Sequence, residues 1–208
     1  MPTIPVWNPL PRVAAIDHPL GRFAGLWAVG AVAFTGAWTV GYLLLPPGLL
    51  RGVFPVATAP LGAVGLVGTL LRVVGYNLVV AGGLIVLGNT VRVRETPVGF
   101  VIPLAHAALF GLFLGTDSFA VAQGAPVAPS LATALSSPGT YEITSYVALA
   151  AATARLTLIV QPRWLTLRAE RVGSWRELSL AASEWALLAG AVGLLVLANV
   201  VEAVSITT

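Results

Sequence analysis

From residue 23 to residue 45 the chain reads FAGLWAVGAVAFTGAWTVGYLLL, an apolar run without a single charged side chain. Wound as an α-helix, this run measures about 34 Å at about 1.5 Å per residue, enough to cross the roughly 30 Å hydrocarbon core of a bilayer. A helix also satisfies its own backbone donors and acceptors, which lipid cannot do. Pro46 and Pro47 end the run, because proline lacks the amide donor and its ring collides with the preceding turn. The composition of all 208 residues points the same way: 57% are hydrophobic, 9% are charged and the mean hydropathy is +0.91. A soluble domain carries about 25% charged residues, so this chain cannot coat its own surface with polar groups. The expected fold class is all-α: a polytopic membrane helical bundle, one integral membrane domain over residues 1–208.

Helix breakers and arginines divide the rest into further spans. Spans are expected at 23–45, 73–91, 98–115, 141–160 and 180–204, five transmembrane helices in all. Residues 49–72 are apolar but broken by Pro55 and Pro60 and interrupted by Arg51. Residues 61–71 are too short to cross, so this segment is expected to be interfacial or re-entrant, with a sixth crossing as the alternative. Residues 117–140, rich in Ala, Ser, Pro and Gly, read as a loop. Arginine asymmetry sets the orientation. With the N-terminus inside, Arg12, Arg22, Arg92, Arg94, Arg163, Arg168, Arg171 and Arg176 face the cytoplasm, and only Arg51 and Arg72 lie outside. The expected topology is N-in, C-out, in a prokaryotic plasma membrane. The proline-broken N-terminus does not read as a cleavable signal peptide.

Charge and motif content exclude several function classes. The pI near 10.0 reflects scarce acids, since the net charge is only +3 and the basic residues, all arginine, are spread along the chain. A nucleic-acid binder gathers such groups into a soluble patch, so no nucleic-acid partner is expected. No cysteine is present, which removes disulfides, thiolate metal sites and thiol nucleophiles. The nucleophile elbow, the zinc-protease helix motif and the phosphate loop are absent, as are paired intramembrane aspartates. The chain is therefore expected not to be an enzyme, and to carry no cofactor and no metal.

Ionisable and amide side chains inside a span are costly and mark functional sites or helix–helix ties. The candidates are Asn77, His106, Glu142, Arg155, Glu184 and Glu202, with Asn89 and Asn199 beside them. Depth places Asn77, Glu142, Asn199 and Glu202 near the outer leaflet, and Asn89, Arg155 and Glu184 toward the inner one. Arg155 is expected to pair with Glu184. Arg72 or Asn77 is expected beside Glu142 and Glu202, whose two carboxyls would share a proton or take a metal ion if no cation met them. His106 has no second histidine in any span, and a neutral, hydrogen-bonded ring is expected. Gly111 and Gly115 form a G-x-x-x-G pair suited to close helix packing.

The segment 162–178, PRWLTLRAERVGSWREL, sets Arg163, Trp164, Arg168, Arg171, Trp175 and Arg176 together at the cytoplasmic side. It reads either as an ordinary charged loop that fixes topology or as a membrane-surface segment with aromatics inserted and arginines at lipid phosphates.

Three segments together carry a resemblance. Residues 137–158 read SPGTYEITSYVALAAATARLTL, with Pro138, Gly139, Glu142, Ala148, Ala150, Arg155 and Leu156 at matching positions. Residues 197–208, LANVVEAVSITT, place Glu202 and Thr207. Residues 76–93, YNLVVAGGLIVLGNTVRV, form an asparagine-bearing helix. Over about residues 73–208 the chain resembles the stage II sporulation protein M family, although the histidine usual between that proline and glycine is absent. The resemblance implies a multi-pass protein without known catalytic activity, a membrane scaffold in spore-formers and, elsewhere, an accessory subunit. The expected function is a non-catalytic scaffold or subunit of a membrane complex, with the bilayer and other membrane proteins as partners. A small transporter or channel component with an intramembrane carboxylate site is the alternative.

Overall fold

The computed structural model describes residues 9–51, 65–118, 137–163 and 168–207. Helix α1 (Leu10–Ala14) is a short lead into α2 (Pro19–Leu44). His18 caps α2 by accepting the Leu20 amide on Nδ1, and Pro19 fills the first helical position, where no amide donor is needed. Helix α3 runs continuously over Gly65–Asn89 and widens to a π-helix over Gly75–Gly82. Strands β1 (Val91–Val93) and β2 (Thr96–Pro97) follow, then a 3-10 turn, Val98–Phe100, that leads into α4 (Val101–Gly115). Helix α5 spans Pro138–Thr153, strands β3 and β4 cover Ile159–Gln161 and Glu170–Arg171, and α6 spans Ala182–Thr207.

Among the described residues, four helices are long and apolar enough to cross a membrane: Pro19–Leu44, Gly65–Asn89, Val98–Gly115 and Ala182–Val204. Their outward faces carry bare apolar side chains such as Val32, Leu43, Val67, Val79 and Leu197, as lipid-facing helices do. Helix α5 is different. It has 16 residues, about 24 Å of rise, and every residue from Ser145 to Thr153 is buried. Its run of small side chains, Ala148 and Ala150 to Ala152, lets α2, α3, α4 and α6 close around it. The core cluster joins this run to Leu26, Ile85, Phe100, Tyr146 and Leu195.

The expected G-x-x-x-G pair is a packing seam. A Cβ on Gly111 would strike the carbonyl oxygen of Phe34, and one on Gly115 would lie 2.5 Å from that of Trp38 and 2.9 Å from the Tyr42 amide. Because those atoms are backbone, only glycine lets α4 lie this close to α2. A second close approach sets Gly88 against Gly99, where an added Cβ would lie 2.9 Å from the facing backbone. It seats the 3-10 turn directly on α3.

Three expectations change. The bundle is helical, but it is not all-α: β1, β2, β3 and β4 form a four-stranded sheet in the order β2-β1-β3-β4. β1 and β3 are parallel, pairing Val91 with Ile159 and Val93 with Gln161. This works because α3 and α5 end side by side, so the backbone leaving each can bond the other; Leu158 and Ile159 both donate to the Thr90 carbonyl. The span expected at 141–160 accordingly stops as a helix at Thr153, and residues 159–161 are strand. Finally, residues 65–72 are no separate interfacial or re-entrant piece. They begin α3, which runs to Asn89 instead of covering 73–91; residues 52–64 lie outside the described residues. The spans expected at 98–115 and 180–204 correspond to Val98–Gly115 and Ala182–Thr207.

At the far end, α4 closes in a Schellman motif. Ser118 donates to the Phe113 carbonyl and Asp117 to that of Leu114, with Asp117 in the left-handed region at φ 49. Arg51 reaches Asp117 at 3.3 Å, and the Gly48 amide donates to Thr116, which ties the turn after α2 to the end of α4.

Candidate functional site

The π-helical stretch of α3 carries Asn77 inward. A π turn holds one residue more than an α turn and re-aims the side chains within it, a distortion frequent at functional sites. Asn77 is buried, and its amide nitrogen donates to Glu142 Oε1 on α5 (2.6 Å) and to Asn199 Oδ1 on α6 (2.7 Å). Its oxygen accepts the Tyr146 hydroxyl at 2.8 Å. Glu142 and Tyr146 are four apart on α5 and so share a face. Glu202 of α6 completes the group as a hydrogen-bond partner of the Glu142 carboxyl. The cluster thus joins α3, α5 and α6 through amide, hydroxyl and carboxyl groups.

One donor in this cluster stays unmet. Asn199 is fully buried and its Nδ2 has no hydrogen-bond partner among the described residues. Such a group costs about 1–3 kcal/mol unless a water or another acceptor meets it. His106 approaches from α4: its ring lies edge-on to Tyr146, centroids 5.2 Å apart, and its Nδ1 bonds the Ile102 carbonyl at 3.0 Å.

The sequence placed Asn77, Glu142, Asn199 and Glu202 at one depth, and the structure brings them together. Arg72, offered as an alternative member, is exposed and makes no hydrogen bond or ion pair with them among the described residues, so Asn77 is the residue beside the carboxyls. Tyr146 was not singled out. Its position four residues beyond Glu142 was the available signal.

The opposite end holds a second polar group, and there the expected pairing changes. Arg22, assigned above to a cytoplasmic flank, is fully buried. It donates from Nε to the Ala151 carbonyl at 3.0 Å, from one terminal nitrogen to the carbonyls of Ile16 and Asp17, and from the other to Glu184 Oε1 at 2.5 Å. Glu184 spends its second oxygen on the Ala181 amide, which caps α6. Arg155 lies beyond the end of α5, half exposed, with Nε 3.8 Å from Glu184 and its main bonds to Asp17. The principal partner of Glu184 is therefore Arg22, not Arg155. The reason is geometric: α5 stops at Thr153, which carries Arg155 outward, whereas the first turn of α2 faces the first turn of α6.

Level with Arg22 along α5, Asn89 donates to the Ala150 carbonyl and to Thr153 Oγ1, holding the end of α3 against α5. Arg92 on β1 donates to Thr157 and to the Ala154 carbonyl. Burial, and after it the like charges of Arg22 and Arg155, pull the Arg92 pKa below the usual guanidinium value.

Of the surface residues, Arg163, Arg168, Arg171, Trp175 and Arg176 are exposed. Trp164 lies outside the described residues. Within the segment, Glu170 and Arg171 form β4 and pair with Val160 and Ile159. Among the described residues, no group of three or more His, Asp or Glu is placed to hold a metal ion. No family model, no curated protein and no solved structure matches this chain.

Proposed function

We propose that the chain is a five-helix integral membrane protein of a prokaryotic plasma membrane, oriented N-in and C-out, that serves as a non-catalytic subunit or scaffold of a membrane complex. Helix α5 is the fifth crossing, short because it runs inside the protein and meets a strand at its cytoplasmic end. One observation carries the reading: polar side chains within the bundle tie helices to one another. Asn77 joins α3 to α5 and α6, Asn89 joins α3 to α5, and Arg22 joins α2 to α5 and α6. Such ties build a rigid body whose outward apolar faces are open to lipid and to other membrane helices. The resemblance of residues 73–208 to the stage II sporulation protein M family supports the same role. Affinity purification from native membranes in mild detergent should recover a partner in fixed stoichiometry. A lone chain, both in every detergent and after crosslinking in membranes, would overturn the proposal.

A small transporter or channel component is the second reading, favoured by the neighbouring Glu142 and Glu202 carboxyls beside the unmet Asn199 donor. Proton and cation flux into proteoliposomes should then fall with Glu142→Gln and with Glu202→Gln. Flux indifferent to both changes removes this reading.

A further inference from the structure

The small sheet leaves a cleft of about 330 Å³ where α3 and α5 end, lined by Thr90, Leu158, Ile159, Ala169, Arg171 and Trp175. Its chemistry is divided. Leu158 and Ile159 give an apolar floor, while Arg171 and Trp175 form an exposed rim. The antiparallel register sets Arg171 opposite Ile159 and Glu170 opposite Val160. Directly opposed residues share a face and neighbours alternate, so Arg171 stands on the cleft side and the adjacent acid on the other. Only Arg171 Nε is engaged, to the Gly173 carbonyl at 2.9 Å. The terminal nitrogens of the guanidinium have no partner among the described residues. Glu177, the second acid nearby, is occupied by the Ser174 amide. The polar atoms of Thr90 are also engaged: its hydroxyl bonds Leu87, and its carbonyl takes both Leu158 and Ile159.

We propose that this cleft binds the headgroup of an anionic phospholipid of the adjacent leaflet. The inference rests on the membrane reading above. A planar guanidinium with free donors matches a phosphate bidentately. An indole at the end of the membrane helices is placed as interfacial tryptophans are, with its ring at headgroup level. The apolar floor suits the glycerol and the first methylenes of an acyl chain. Arg163 and Arg176, both exposed on the same segment, add the positive field that favours an anionic over a zwitterionic lipid.

The test uses the full chain purified in mild detergent, with native mass spectrometry counting retained lipid. Phosphatidylglycerol should be retained over phosphatidylcholine. Arg171→Gln should weaken that retention about ten- to a hundredfold, the scale of a charge-assisted hydrogen bond, and Trp175→Ala should weaken it less. Arg171→Lys should fall between wild type and Arg171→Gln, because it keeps the charge and loses the fork. Arg72→Gln, an exposed arginine at the opposite end of α3, should leave retention unchanged, and millimolar inorganic phosphate should not compete. Equal retention of the two lipids, equal losses in Arg171→Gln and Arg72→Gln, or displacement by free phosphate would each overturn the proposal. Carbonate extraction of native membranes separates its failure from that of the membrane reading, since a chain released by carbonate is not integral.

Discussion

Replacing Glu184 with leucine tests the clamp where the first turns of α2 and α6 meet. The Arg22 and Glu184 side chains are 0% and 4% exposed. Without the carboxylate, Arg22 is left as a buried cation whose remaining partners are the carbonyls of Ile16, Asp17 and Ala151. Breaking a buried pair by removing one partner costs about 3–5 kcal/mol. The same change removes the cap on the Ala181 amide, worth about 0.5–2 kcal/mol. Arg155 cannot compensate, because it is also a cation, and the Asp17 carboxylate that it holds is 99% exposed. At about 2–4 °C per kcal/mol for a chain of this size, the melting temperature should fall by about 10–20 °C. Thermal unfolding in mild detergent, followed by circular dichroism, measures this for wild type, Glu184→Leu, Arg22→Met and the double variant. The double variant should recover most of the loss, since exchanging a buried pair for apolar side chains of similar volume is about neutral. A fall under about 3 °C for Glu184→Leu, or losses that simply add in the double variant, would refute the assignment of a buried, mutually dependent pair.

Gly115→Leu should destabilise by more than the about 1–3 kcal/mol usual for overpacking, because its Cβ would meet the Trp38 and Tyr42 backbone. Gly190→Leu, where no atom lies within 4 Å, should melt like wild type in the same assay. Asn77→Leu removes three hydrogen bonds at once and strands the Tyr146 hydroxyl, a loss of about 1–3 kcal/mol for each buried group left unmet; it should also loosen α3 from α6, read as faster amide exchange over 75–82. Asp17→Asn should leave the melting temperature within error of wild type, because its bond to Arg155 is solvent-exposed and such pairs contribute little.

The helical elements were legible because their cause is local. An apolar run without charge and a proline or arginine at its end specify a helix wherever the residue sits, which is why residues 98–115 and 180–204 were located within a few positions. Depth along a helix is equally local, so Asn77, Glu142, Asn199 and Glu202 could be assigned to one layer before any contact was known. The G-x-x-x-G of α4 was visible as a pattern, but its partner, the Phe34–Tyr42 backbone of α2, was not. The sheet was invisible for a related reason: Val91–Val93 and Ile159–Gln161 are too short to specify a strand, and they pair only because α3 and α5 end together.

The sequence alone thus determined that this chain is a bundle of apolar helices and which polar residues share a depth, since composition and periodicity act residue by residue. Only the tertiary structure decided who meets whom: that Arg22 rather than Arg155 takes Glu184, that Tyr146 joins the Asn77–Glu142 group, and that α3 begins at Gly65. Those outcomes depend on where each helix ends and on which face it turns inward. Both follow from packing between segments from 65 to 162 residues apart, and no local window of sequence contains that information.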